Sequence, residues 1–198
     1  MPSLLETIDN AKPTALLGLS GQPRAFTEPV VRAMTAANGA TRPIIFPLSN
    51  PTSSCEALPE ELIEWTEGKA IVATGSPFAP VQWRGKVYTI GQGNNAFVFP
   101  GLGFGAILAE AREITDGMVM AAAYALADFA RDKCLPKGDV YPAVDDLHEV
   151  SARVATRVLE QAFDDGVAQT TKVGREGAGE YVKARFWKPK YMPIVRGA

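Results

Sequence analysis

Three short apolar runs bounded by turn residues recur along the first part of the chain: "LLGLSG" from Leu16, "IIFPLSNP" from Ile44 and "IVATGSP" from Ile71, spaced 28 and 27 residues apart. A spacing near the ~30 residues of a strand-helix-strand unit leaves room for one helix between successive strands. The intervals supply it. In "TEPVVRAMTAAN", Thr27 stands as an N-cap, Pro29 sits in the first turn, Val30, Val31 and Met34 share a face, and Asn38-Gly39 ends the run. In "PEELIEWTEG", acidic residues open the turn, Leu62, Ile63 and Trp65 are the apolar positions and Gly68 closes it. Strands alternating with helices predict an α/β chain with a parallel sheet and crossover helices. Pro47 lacks a ladder donor, so a bulge or a local loss of pairing is expected near the exit of the second strand.

Beyond residue 100 the period turns helical, predicting packing helices in "GAILAEAREI", "DGMVMAAAYALADFARD" and "AVDDLHEVSARVATRVLEQAFDDG". In the last of these, Val144, Leu147, Val150, Val154, Val158 and Ala162 keep three- and four-residue spacing. "KVGREGAGE" reads as a linker to a short last helix around Tyr181 to Trp187. The expected organisation is a sheet-bearing part over residues 1–100 and a helical part over 101–198.

Composition narrows the function classes. With 46% hydrophobic and 21% charged residues and a net charge of −2, the chain is of ordinary globular type and gives no sign of nucleic-acid binding. The most basic stretch, "KARFWKPKY", reads as a solvated last helix. Cys55 and Cys134 are far apart with no paired spacing, and there is one histidine, so neither a disulfide framework nor a zinc site is expected. A cytoplasmic setting fits. The longest apolar run, "AFVFPGLGFGAILA", is shorter than the roughly 20 residues a membrane span needs, and "MPSLLETIDNAKP" has no basic n-region of a signal peptide.

In open parallel sheets, ligands sit outside the carboxyl ends of the strands, and the unusual turns of this chain fall at such ends. "GLSGQ", with Gly18, Leu19, Ser20 and Gly21, is either a plain strand-to-helix turn or a place where backbone approaches a cofactor closely. Asn50, between Ser49 and Pro51, is either an Asx-turn residue or a ligand contact, and the Asn94-Asn95 pair in "GQGNN" is open to the same two readings. An amide offers donors to a carboxylate and an acceptor to a hydroxyl without adding charge, so it orients a substrate and transfers no proton. His148, beside Asp145, Asp146 and Glu149, belongs to a solvated helix face.

Four ordered blocks, "RPIIFPLSNPTSSCEA", "WTEGKAIVATGSPFAPV", "GQGNNAFVFPGLGFGAI" and "EVSARVA", resemble successive signatures of the malic enzymes, the decarboxylating NAD(P)-dependent malate dehydrogenases, and most closely the bacterial NAD-type branch. The resemblance implies a partial Rossmann-like parallel sheet: residues 1–100 as the later half of an NAD(P)-binding domain and 101–198 as its helical C-terminal part. It implies that Asn50, Asn94 and Asn95 hold malate's carboxylates, and that Gly18, Leu19, Ser20, Gly21, Ser49, Asn50 and Asn95 meet the nicotinamide end of NAD or NADP.

In the family the tyrosine acid, lysine base, acidic ligands of Mg²⁺ or Mn²⁺ and the glycine-rich phosphate turn precede this region, and none of their motifs occurs here. The resemblance therefore implies no catalytic or metal-binding residue in this chain. It implies activity only with an N-terminal complement, malate and pyruvate as the small molecules handled, and no nucleic-acid or membrane partner. The other reading is a non-catalytic dinucleotide-binding or interaction module. Loss of the strand preceding Leu16 in the sheet would bare an edge, so self-association, an N-terminal partner, or cover by Leu4, Leu5 and Ile8 in residues 1–14 is expected.

Overall fold

The computed structural model describes residues 2–187 and 191. The chain divides into two compact units that interleave: Met1–Phe97 with Ala127–Leu147, and Val98–Leu126 with His148–Ala198. The expected division at residue 100 was a single boundary; the segment that returns to the first unit was not foreseen.

The first unit opens on α1 (Leu4–Ala11), where the Ser3 hydroxyl accepts from the Glu6 amide at 3.2 Å and the Glu6 carboxylate accepts from the Ser3 amide at 2.6 Å. This reciprocal cap satisfies two helix-end donors. Then follow β1 (Ala15–Gly18), α2 (Glu28–Asn38), β2 (Ile44–Pro47), α3 (Pro59–Trp65) and β3 (Ile71–Thr74), as the periodicity predicts. β4 (Val81–Trp83) and β5 (Lys86–Tyr88) form an antiparallel hairpin over Arg84 and Gly85, both at positive φ, and β6 (Gly91–Gln92) completes a parallel sheet in the order β1-β2-β3-β6.

The β1–β2 register runs from Ala15 opposite Ile44 to Gly18 opposite Pro47. β2 pairs with β3 only at Ile44–Ile71 and Ile45–Val72. The Pro47 carbonyl accepts from the Gly75 amide at 3.2 Å, so its β3-facing side is the one that lacks a donor. The expected loss of pairing at the strand's exit is therefore present, with its cause.

The core of this unit joins Ile8, Val30, Val31, Met34, Ile45, Leu62, Ile63 and Val72, with Leu4, Leu5 and Leu16 packed at its margin. α1 is thus anchored by Ile8 and lies against α2. It does not screen all of β1 and the turn after it: Leu17 is 54% and Leu19 73% exposed. The helix expected near the N-terminus is present, and Leu4, Leu5 and Ile8 share one cluster with Leu16, so the cover expected of them reaches part of that face.

The second unit holds α4 (Phe99–Ala109), most of α5 (Asp116–Phe129), α6 (Leu147–Asp164) and α7 (Ala178–Arg185). α4 starts earlier than "GAILAEAREI" suggests, because Pro100 falls in the first turn where its missing donor costs nothing, and it ends at Ala109 with Glu110 left-handed. Gly101 and Gly105 let α4 meet α6 closely: a Cβ on either would lie 2.6 Å from Val154 Cβ or 2.7 Å from the Ala155 carbonyl.

Val150, Val154, Val158 and Ala162 of α6 are fully buried, as their spacing predicts. Val144 is not, since it lies in a 3₁₀ turn before the helix and is 68% exposed. α7 begins at Ala178 and stops at Arg185, so the expected Tyr181 to Trp187 helix is displaced toward the N-terminus; of the basic stretch, residues 188–190 lie outside the described residues. His148 is exposed as expected, its ring edge-on to Phe186 at 4.3 Å. Cys55 and Cys134 are free and buried. No helix among the described residues is long and apolar enough to cross a membrane.

Candidate functional site

The four strands of the parallel sheet give out into four turns: residues 18–21, 48–50, 75–76 and 93–95. Backbone bonds stitch these exits together. The Leu48 amide donates to the Gly18 carbonyl at 2.8 Å, the Gly75 amide to Pro47 at 3.2 Å and the Gly93 amide to Thr74 at 2.8 Å. A continuous rim results, with each turn held by its neighbour.

Ser49 ties the first two turns. Its hydroxyl accepts from the Gly21 amide at 2.9 Å and donates to the Glu56 carboxylate at 2.5 Å, while its own amide donates to the other Glu56 oxygen at 3.3 Å. Glu56 is fully buried, so these bonds replace the water its charge has lost. The backbone beside it continues the strap: Arg24 donates to the Cys55 carbonyl and Phe26 to the Glu56 carbonyl, each at 3.0 Å. Ser49, expected to touch cofactor, is only 7% exposed and is spent on holding the turn, whereas Leu19, Ser20 and Gly21 are open to solvent. Gly18 is buried against Glu56.

Asn50 is exposed, and its carbonyl oxygen accepts from the Ser76 hydroxyl at 2.6 Å. Ser76 is in turn set by Thr74, whose hydroxyl donates to the Ser76 carbonyl at 2.8 Å. Gly75 makes room: a Cβ there would stand 3.1 Å from Asn50 Nδ2. With its oxygen engaged by Ser76, exposed Asn50 keeps its NH₂, beside Gly75, as the group left to donate. The two neighbouring asparagines separate in role. Asn94, half-buried, accepts from the Ala96 amide at 2.9 Å, the Asx-turn reading. Asn95 is exposed and opens the 3₁₀ turn Asn95–Phe97.

The rim therefore gathers the exits that the sequence singled out and sorts their residues into two layers. Asn50 and Asn95, with residues 19–21, face outward; Ser49 and Asn94 brace the backbone. Sequence reasoning missed Glu56, Thr74 and Ser76. The available signals were one acid in the otherwise uncharged "SSCEA" and a Thr-Gly-Ser turn directly after an apolar run. Charged groups are sparse here, Arg24 being engaged by Glu61. Among the described residues no group of three or more His, Cys, Asp or Glu side chains is arranged to hold a metal ion.

A rim of glycine turns and oriented amides at the carboxyl ends of a parallel sheet is the place for a dinucleotide. A family profile described as "Malic enzyme, NAD binding domain" matches residues 1–163. The chain belongs to the malic enzyme family. Among its relatives, the NAD-dependent malic enzyme of Acinetobacter baylyi is 50% identical over 194 residues, covering 98% of this chain and 34% of that protein. The enzyme of the same name from Photorhabdus laumondii is 47% identical over the same shares. The chain thus spans about a third of the length of these curated relatives.

Solved malic enzymes share the fold. The Entamoeba histolytica enzyme superposes with a TM-score of 0.74 at 29% identity, covering 93% of this chain and 34% of that one. The Pyrococcus horikoshii enzyme does so with a TM-score of 0.69 at 31% identity, covering 91% and 36%. The α/β architecture with its parallel sheet is the architecture of this family.

Proposed function

We propose that the chain is the C-terminal NAD(P)-binding portion of a malic enzyme, which oxidises malate and decarboxylates it to pyruvate and CO₂ in the cytoplasm. The observation that carries this reading is the rim, where exposed Asn50 has its oxygen engaged by Ser76, leaving its NH₂ as the group to donate, and Asn95 stands exposed two turns along. Two exposed amides suit a dicarboxylate beside a nicotinamide that becomes cationic when oxidised, because they donate without adding charge. When bound, the dinucleotide supplies the hydride acceptor. Residues 18–21 offer the backbone against which its ribose would lie, and the Ser49–Glu56 pair keeps that backbone in place. The NAD dependence in the relatives' names favours NAD over NADP.

The residues here orient substrate and cofactor; none is placed as the acid or base. The divalent metal of the family finds no ligand set among the described residues. The reading therefore assigns proton transfer and metal binding to a complement, supplied either as an N-terminal half or within a larger homo-oligomeric enzyme. The test is malate-dependent NAD(P)H formation with Mn²⁺, with and without that complement. Turnover only in the mixture supports the proposal. Turnover by the chain alone overturns its division of labour, and no turnover in a folded mixture that still binds NAD favours a non-catalytic dinucleotide module.

A further inference from the structure

A second concavity lies at the opposite end of the same sheet. Arg42 stands two residues before β2, Ala70 immediately precedes β3, and a cleft of about 250 Å³ that they line opens toward Lys86, Tyr88, Lys137 and Asp139. Three cations, Arg42, Lys86 and Lys137, line it against a single carboxylate. That carboxylate, Asp139, is engaged by the Thr89 hydroxyl. Neither lysine nor Arg42 has an ion-pair partner among the described residues.

Arg42 is held by the backbone. Its Nε donates to the Lys69 carbonyl at 2.8 Å and its Nη2 to the Ala70 carbonyl at 3.1 Å. A guanidinium fixed by two carbonyls keeps its full charge, and its orientation is set before any ligand arrives. Lys86 rests with Nζ 4.8 Å from the Tyr88 ring centroid, which confines a flexible ammonium without neutralising it. The floor is apolar, formed by Ile63, Val72 and Ile90. Like charges gathered around one concavity raise the local potential and draw counter-ions of opposite sign, even where the side chains are exposed.

We propose that this cleft binds a small organic polyanion, carrying carboxylate or phosphate groups on a short carbon frame. The size decides the class: the cleft is below the roughly 300–1,000 Å³ typical of drug-sized ligand sites, too small for a dinucleotide. The cations take the anionic groups, Asp139 and Thr89 take a hydroxyl, and the aliphatic floor takes the carbon frame. The assignment is independent of the function proposed above, because no residue of the cleft belongs to the amide rim.

Calorimetric titration of the chain with citrate, and separately with inorganic pyrophosphate, tests it at low ionic strength. Saturable binding of at least one is expected, weakened by added salt. The double variant Lys86→Ala/Lys137→Ala, altered only at exposed side chains, is expected to bind about fivefold or more weakly while keeping its circular dichroism. Which probe binds distinguishes a polycarboxylate from a phosphorylated ligand. Absence of saturable binding by both, or undiminished binding by the folded double variant, overturns the site.

Discussion

The carboxyl carbon of Glu56 lies 2.4 Å from the position that a Cβ on Gly18 would occupy. Glu56 cannot swing away cheaply, because its oxygens hold the Ser49 hydroxyl and amide in a fully buried setting. Gly18→Ala is therefore expected to destabilise the chain by about 1–3 kcal/mol, the usual range for overpacking. Gly103, in the interior of α4 with nothing within 4 Å of its Cβ position, is the matched control. Gly103→Ala should stabilise by about 0.5–1 kcal/mol. Urea unfolding of the two variants checks both signs; equal effects would show that the Gly18–Glu56 contact does not constrain the turn.

Ser49→Ala removes the acceptor of the Gly21 amide and a donor to Glu56 at once. A buried acceptor left unpaired costs about 1–3 kcal/mol, more when it is charged, so this variant is expected to lose at least that much stability. The effect should shrink in the Glu56→Gln background, since the two residues act as one unit. A double-mutant cycle by chemical denaturation measures the coupling. Additive losses would mean that the two bonds do not form a shared brace.

The two neighbouring asparagines should part in their consequences. In the complemented enzyme, Asn95→Ala is expected to lower kcat/KM for malate by a hydrogen bond to a charged group, about 1.5–3 kcal/mol, with the KM for NAD little changed. Asn94→Ala removes the Asx turn and should instead cost about 0.5–1.5 kcal/mol of stability. Steady-state kinetics alongside thermal melts separate the two. Identical profiles would refute the assignment of Asn95 to substrate.

Burial pushes the Cys55 thiol up, and that of Cys134 likewise, with nearby carboxylates adding to the effect. A raised folded-state value means that the folded chain holds these protons more tightly than the unfolded one. Stability is then complete below the ordinary thiol value of about 8.5 and falls as pH rises through the higher folded values. Denaturation midpoints measured from pH 7 to 10 should decline above about 8.5, less steeply in Cys55→Ala. Both thiols should also resist alkylation at pH 8 until the chain unfolds; rapid labelling of the native protein would contradict their burial.

β1 ends the sheet order, and Leu17 on it and Leu19 in the turn that follows are exposed. If this edge mediates the proposed association, light scattering should find self-association of the isolated chain, reduced by Leu17→Lys and suppressed by the complement. A monomer at every concentration, unchanged by the substitution, would remove the edge from the account.

The sheet and its crossover helices were legible because apolar residues recur with the periods of strand and helix; Thr27 falls at the N-cap of α2 as expected, though its side chain makes no capping bond, and Gly39 ends the helix at positive φ. The rim was legible only as positions. That Asn94 turns inward and Asn95 outward depends on a 3₁₀ turn that one residue of offset decides, and no amide in the sequence announces which. Glu56 was illegible for a deeper reason: a glutamate reads as surface until the fold encloses it with Ser49. The hairpin over Arg84 and Gly85 carries only short alternation, and the start of α4 was not legible because a proline beside an apolar run marks a first turn only once the helix around it is known.

The interleaving of the two units has a bearing on synthesis. Residues 1–97 leave the ribosome before 127–147, yet it is this later stretch that brings Tyr141 to within 6.1 Å of the Phe46 ring and against Gly91 and Gly93. A nascent chain halted between the two would carry all four parallel strands while one aromatic face of β2 still lacked its partner. The sheet unit thus reaches its finished packing only after the stretch that carries α4 and most of α5 has been translated.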